Sequence, residues 1–257
     1  MGKVTLRTII LGDVHLGSPL CRTAQLSHVL ERAHFDRLIL NGDIFDDLNF
    51  RRLKPRHWEV LERIRALPER GREVVWIFGN HDGSSEALKR LLGVEVHQEY
   101  TFSFRGESVL VVHGHEFDHF HRATRGLNTL RGYFYGFALW FDVPRKTAIQ
   151  WVQRSSTIFD RATKRVKEKA LAKARQRGAR YIVVGHTHHR ERDVVGGVTF
   201  LNPSSWLTSQ PSYVLFDEVR QEPELVILGR RPHRPITDAL RSRVRVTSRK
   251  VARRVTR

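Results

Sequence analysis

The chain has 257 residues, is 40% hydrophobic and carries a formal net charge of +18. That is enough apolar material for one α/β core, and the cationic excess points to anionic partners: nucleic acid, a nucleotide or a lipid headgroup surface. A single cysteine, Cys21, excludes an intramolecular disulfide and a cysteine-rich metal cluster. No apolar run is long enough for a spanning helix, and no signal-peptide pattern precedes the first strand. A soluble or peripheral protein of the cytoplasm is therefore expected.

Taken in order, residues 7–12 read as a strand, Thr23 to Ala33 as a helix and 37–41 as a second strand, a βαβ crossover. The first strand runs into Asp13-Val14-His15, whose alternation in an extended segment would turn both ligand-type side chains to one point. The second, Arg37-Leu38-Ile39-Leu40, is continuously apolar, as in a strand buried on both faces. Asp43 at its exit then falls in the crevice where open α/β sheets hold ligands. A helix with Trp58, Leu61 and Ile64 at core spacing leads to strand 73–78. Gly79 permits a tight exit that brings Asn80 forward and leaves His81 and Asp82 beside it. Asn80 could instead cap a following helix, a task Asp82 or Ser84 could also perform.

Residues 99–104 and 107–112 read as two strands about Arg105-Gly106, the second ending in His113-Gly114-His115. Residues 117–179 read as a helical insertion with an aromatic run, Tyr133 to Phe141, at its middle. Two readings of that run stay open: packing of the insertion onto the main domain, or a lipid-binding lid. Strand 181–184 then ends in Gly185-His186-Thr187-His188. Short strands near 198–201, 212–216 and 224–228 form an antiparallel edge or a second sheet covering the first. The chain thus divides into a domain over 1–229 and a basic tail over 230–257. The tail holds eleven Lys or Arg and one acid, or +10 of the total charge. Within it Ile236, Leu240, Val244, Val251 and Val255 gather on a ~100° helical stripe, as in a helix lying on an anionic bilayer. A disordered tail and a nucleic-acid contact are the alternatives.

Five strands thus deliver Asp, His or Asn to one edge of a sheet. Carboxylate, amide oxygen and imidazole without thiolate suit Mn²⁺, Fe²⁺, Mg²⁺ or Zn²⁺. Seven candidates, Asp13, His15, Asp43, Asn80, His113, His186 and His188, suffice for two ions sharing a carboxylate. Such a pair can clamp a phosphoryl group and activate water.

The ordered set D-x-H, G-D, G-N-H-D, H-G-H and G-H-T-H resembles the calcineurin-like metallophosphoesterase superfamily. The resemblance implies a four-layer α/β/β/α sandwich with a helical insertion as a cap. It implies one ion on Asp13, His15, Asp43 and His188, and a second on Asp43, Asn80, His113 and His186, with metal-bridging hydroxide as nucleophile. His81 would protonate the leaving group or stabilise the transition state, and Asp82 would orient it. Leu11 to Gly17, Gly42 to Asp46, His113 to Asp118, Gly185 to His188 and Asn202 to Trp206 are more closely similar to the UDP-2,3-diacylglucosamine diphosphatases of lipid A synthesis. The best-known branch of that family has Arg where this chain has His81, and Asp where it has His115. The implied substrate is a nucleotide-linked lipid diphosphate, with acyl chains held by the aromatic insertion and anionic groups facing Arg154, Lys164 and Lys167. Manganese is the expected cation, and the inner membrane face the expected place of work. A phosphodiesterase of nucleic acid or soluble nucleotides is the alternative, and the complete ligand set argues against a binding protein without activity.

Overall fold

A computed structural model describes residues 6–82, 88–89, 93–118 and 145–229, with side chains of the helical stretch 145–159 excepted. The aromatic run 133–141, Ser84, the tail 230–257 and the side chain of Arg154 lie outside the described residues.

Eleven strands among the described residues form two sheets. The first has the order β11-β10-β1-β2-β3-β4 and the second β5-β6-β7-β9-β8. In the first, β1 (Arg7–Gly12), β2 (Arg37–Asn41), β3 (Glu73–Ile77) and β4 (Val96–His97) run parallel, with Gly12 opposite Asn41 and Asn41 opposite Ile77. Their carboxyl ends are therefore level. In the second, β6 (Glu107–Val112), β7 (Tyr181–Val184) and β9 (Val198–Asn202) are parallel, edged by antiparallel β5 (Glu99–Phe104) and β8 (Glu191–Val195). The chain then returns to the first sheet, where β10 (Ser212–Asp217) pairs antiparallel with β1 and β11 (Glu224–Ile227) with β10.

Alternation along each strand builds the layers. On one face of the first sheet, Ile9, Leu11, Leu38, Leu40 and Trp76 meet α1 (Thr23–Arg32) and α2 (Pro55–Arg65) through Leu26, Leu30, Val60, Leu61 and Ile64. Ile10, Ile39, Val75 and Ile77 on the other face pack against Val109, Val111, Tyr181 and Val183 of the second sheet. The outer face of that sheet, Leu110, Val112, Ile182 and Val184, is covered by Val166, Ala170, Leu171 and Ala174 of the long helix Arg145–Gln176. The result is the expected α/β/β/α sandwich.

Three sequence expectations are corrected. The five ligand-bearing strands belong to two sheets, because β6 and β7 form the second and only β1, β2 and β3 the first. The closing strands are likewise divided: β9 lies in the second sheet, β10 and β11 in the first. Trp58 is not core but 42% exposed. The buried stripe of α2 is His57, Val60, Leu61 and Ile64, at i, i+3, i+4 and i+7, and Trp58 lies off it. Among the described residues, no helix is long and apolar enough to cross a membrane.

Candidate metal centre

The strand exits of the two sheets meet, and their side chains fall into two clusters. Asp13, His15 and His188 form one and Asp43, His113 and His186 the other, the ligand atoms within each lying within 4.8 Å of one another. Asn80 Oδ1 stands 3.3 Å from His113 Nε2 and 3.1 Å from His186 Nδ1, so this amide faces the second cluster. Each cluster draws on both sheets.

The backbone that aims these groups is not extended, as the D-x-H alternation suggests. Asp13, His15, Asp43, His186 and His188 all have φ between 50° and 64°. L-residues adopt this left-handed region at a cost of about 1–2 kcal/mol each, and Asp and His tolerate it better than most. Concentrated at five ligand positions, the strain lets consecutive strand exits curl inward. Two glycines make the curl possible. A Cβ on Gly42 would lie 2.3 Å from His113 Nδ1, and one on Gly79 2.1 Å from the amide nitrogen of Asp43.

Hydrogen bonds set the imidazole tautomers. His113 Nδ1 donates to the Asn41 carbonyl at 3.0 Å, which turns its Nε2 toward Asp43 Oδ2 at 3.3 Å and the Asn80 oxygen. A ring nitrogen held by a backbone carbonyl in this way is oriented for cation binding by the other nitrogen. His15 Nε2 and His188 Nε2 are 3.1 Å apart, with Asp13 Oδ1 3.3 Å from the latter. Two imidazole lone pairs facing each other beside a carboxylate repel unless a proton or cation lies between them. The donor set therefore fits a divalent cation at each cluster.

The charges are strongly coupled. Burial opposes ionisation of Asp43, but His113, with His81 and His15, holds its carboxyl well below the usual range. Burial likewise opposes the charge on His113, yet Asp43 and Asp13 raise it to about 10. Asp13 is lowered against its own burial, chiefly by His188, and His188 is raised against its burial by Asp13. His115, where burial and the His113 charge combine, is pushed down to about 4 and is neutral.

His81 is exposed at the mouth; its ring is 5.3 Å from that of His15, and its Nδ1 donates to the Asp46 carbonyl at 2.8 Å. Its backbone N–H donates to Asp43 Oδ1 at 2.8 Å. The orienting role expected of Asp82 is thus taken by Asp46. Asp82 is fully buried, and its oxygens accept from the backbone N–H groups of Ile44, Phe45 and Gly79 and from Trp76 Nε1. Burial and the Asp43 charge push it up to about 6, which leaves it ionised at neutral pH as the tie between the β2 and β3 exits. Lys167 is engaged elsewhere, with Nζ 2.6 Å from Glu191 and 2.5 Å from Asp193 on β8. Lys164 is exposed on the long helix.

Several residues at the site had no chemistry assigned from sequence. Asp118 Oδ2 lies 3.2 Å from His186 Nε2, which brings the first residues of the insertion into the cluster. Asp46 also reaches toward His15 Nδ1 at 3.5 Å and pairs with Arg52 at 2.6 Å. Asn202 Nδ2 donates to the Gly185 carbonyl and Thr187 Oγ1, Ser204 Oγ to the His188 carbonyl, and Trp206 N–H to the Asp13 carbonyl. All these residues lie within or next to the motif segments; the missing signal was their function as braces.

Residues 6–190 match the family described as calcineurin-like phosphoesterase. The chain belongs to that family. It is a metal-dependent phosphoester hydrolase, and the paired clusters are sites for divalent metals. No curated protein matches the chain. Among solved structures it is similar to Yfce, a phosphoesterase from E. coli, at 16% identity over 90% of this chain and 97% of that one, with a TM-score of 0.49. A novel archaeal phosphodiesterase is 17% identical over 87% and 100%, with a TM-score of 0.46. Vacuolar Protein Sorting 29 from Cryptosporidium parvum is 15% identical over 88% and 97%, at 0.45.

Proposed function

We propose that this phosphoesterase cleaves the diphosphate of a nucleotide-linked lipid of the UDP-2,3-diacylglucosamine type, with manganese as its cation. The observation that carries this reading is where the described ends of the insertion lie. At its start Asp118 is against His186, and at its end the long helix leads to β7, the strand that delivers His186 and His188. A phosphoryl group between the clusters would therefore sit beside the start of the insertion, whose sequence carries an aromatic run suited to an acyl chain. Asn202 to Trp206, similar to the same lipid-pathway enzymes, braces both His188 and Asp13.

Divalent cations on the two clusters would supply the Lewis acidity that polarises the phosphoryl group and activates water. The chain's own groups do the rest. The carbonyl of Asp46 holds one His81 proton on Nδ1, so the proton given to the leaving oxygen is a second one, carried on Nε2 by the imidazolium form. Asp43, clamped by the His81 N–H, holds its negative charge in the second cluster and would be the carboxylate shared with the first. The basic tail would keep the enzyme at an anionic membrane face, where each basic residue adds about 1 kcal/mol.

The formal charge of +18 favours a second reading, a phosphodiesterase of nucleic acid or soluble nucleotides. The test is a parallel assay of the manganese-loaded chain on UDP-2,3-diacylglucosamine, an aryl phosphodiester and single-stranded DNA. Release of UMP with preference for the lipid substrate supports the proposal. Turnover confined to the other two overturns it.

A further inference from the structure

Beside the loop that follows His15 lies a cavity of about 250 Å³, whose wall includes Ser18, Arg22, Thr23, Lys54, Arg56 and His57 and no acidic residue. Two helices begin there. The N-cap of α1 is Arg22 and that of α2 is Lys54, and neither side chain takes up a first-turn N–H. The amides of Thr23, Ala24, Gln25 and Arg56 thus remain donors without an intrahelical acceptor.

Independent of the helix starts, three polar side chains on this wall are more than nine-tenths buried: Ser18 at 6%, Thr23 at 4% and His57 at 4% exposure. His57 Nδ1 accepts the Lys54 N–H at 3.1 Å, which places the ring proton on Nε2. Burial, with Arg56 and Lys54 alongside, lowers the pKa of that ring below the ordinary histidine value. Among the described residues neither the Nε2–H of His57 nor the hydroxyl of Thr23 has a hydrogen-bond partner, although both side chains line the cavity. Both donors sit on otherwise buried side chains at the cavity wall, where an acceptor can reach them.

We propose that this cavity binds a phosphate group at a site separate from the metal clusters. Helix-start amides, two hydroxyls, one imidazole N–H and three cations form an array of donors suited to a multiply charged oxyanion. The cavity is also connected to the catalytic edge: Arg22 N–H donates to the Trp206 carbonyl, and Trp206 N–H to that of Asp13, each at 3.0 Å. A phosphate seated there bears on the backbone that aims a metal ligand.

The phosphate could be free, on a soluble monoester, or on a lipid headgroup. The test is calorimetric titration of the metal-loaded full chain with inorganic phosphate, beside the inhibition constant of phosphate for aryl phosphodiester hydrolysis, which reports the metal site. Two binding events are expected. Lys54→Gln/Arg56→Gln, altering two exposed side chains, weakens one of them by about tenfold or more and leaves the inhibition constant unchanged. Thr23→Val, checked for an unaltered melting curve, weakens the same event. UMP competing for it identifies a soluble monoester, and loss of phosphatidic acid vesicle binding in the double variant identifies a headgroup; either supports the site. A single event matching the inhibition constant and indifferent to both variants overturns it.

Discussion

Loading of the metal centre should release protons at pH values where an ordinary histidine has none to give. His113 must present Nε2 to a cation, yet beside Asp43 that nitrogen holds its proton up to about pH 10. At pH 7 a cation therefore competes against a proton favoured about 10³-fold, and apparent affinity for the second cluster should rise about tenfold per pH unit. The sign follows from linkage. A histidine raised above 6.5 stabilises the metal-free fold fully below 6.5 and loses that contribution as pH rises through about 10. Asp43, lowered below 3.8, contributes above 3.8 and loses its contribution as pH falls through its depressed value. The metal-free protein is thus best stabilised by this pair between those limits, and cation binding gains as the proton's hold weakens. Calorimetry in two buffers of different ionisation enthalpy, from about pH 6.5 to 8.5, measures the release directly. At least one proton per loaded site at pH 8 is expected, with a further contribution from His188. No release at pH 8, where an unperturbed imidazole is already neutral, would refute the reasoning.

Asp43→Ala should abolish turnover, whereas Asp47→Ala, whose carboxylate serves an Asn49 turn and an exposed Arg52 pair, should stay within about twofold. Steady-state rates decide, and an active Asp43→Ala would remove the dinuclear centre from the mechanism. His81→Ala should lower kcat by ~10²–10⁴-fold while elemental analysis still finds both metals. A missing metal would instead make His81 a ligand. Gly42→Ala drives a methyl into the His113 ring at a φ of 72°, so metal content at the second cluster should fall along with melting temperature. Full occupancy and an unchanged melt would show that the strand exit yields more readily than the contact implies.

The strands that carry ligands were legible because each is an apolar run stopped by a charged or imidazole residue, and Leu38-Ile39-Leu40 and Val109-Leu110-Val111-Val112 lie buried at those places. That these runs belong to two sheets was not legible. Strands buried on both faces look alike, and nothing local in β2 or β6 names its neighbour. β8 was hidden because its sequence, Glu191-Arg192-Asp193-Val194-Val195, is mostly charged at the sheet edge, and β4 is only two residues long. The left-handed backbone of the ligands was masked for a different reason: Asp13 and His15 alternate like strand residues, while the curl is held by partners distant in sequence, such as the His186 N–H that donates to both Asp13 oxygens. Asp82 defeated the sequence reading because its four donors come from Ile44, Phe45, Trp76 and Gly79, a convergence made by two strand exits.

The return of the chain to its first sheet has a consequence for synthesis. β1 is made well before β10, the partner that closes its outer side, with Ile10 opposite Val214. At ~5–20 residues per second the ribosome leaves that edge unpaired for about 10–40 s. An open edge of this kind can pair with a neighbouring nascent chain, and closing so long a loop favours slow folding. His186 and His188 are made long after Asp13, His15 and Asp43, which wait meanwhile without the imidazoles that complete their clusters. Cation capture is therefore expected to seal a finished sandwich, and a cell short of the metal would accumulate folded but idle protein.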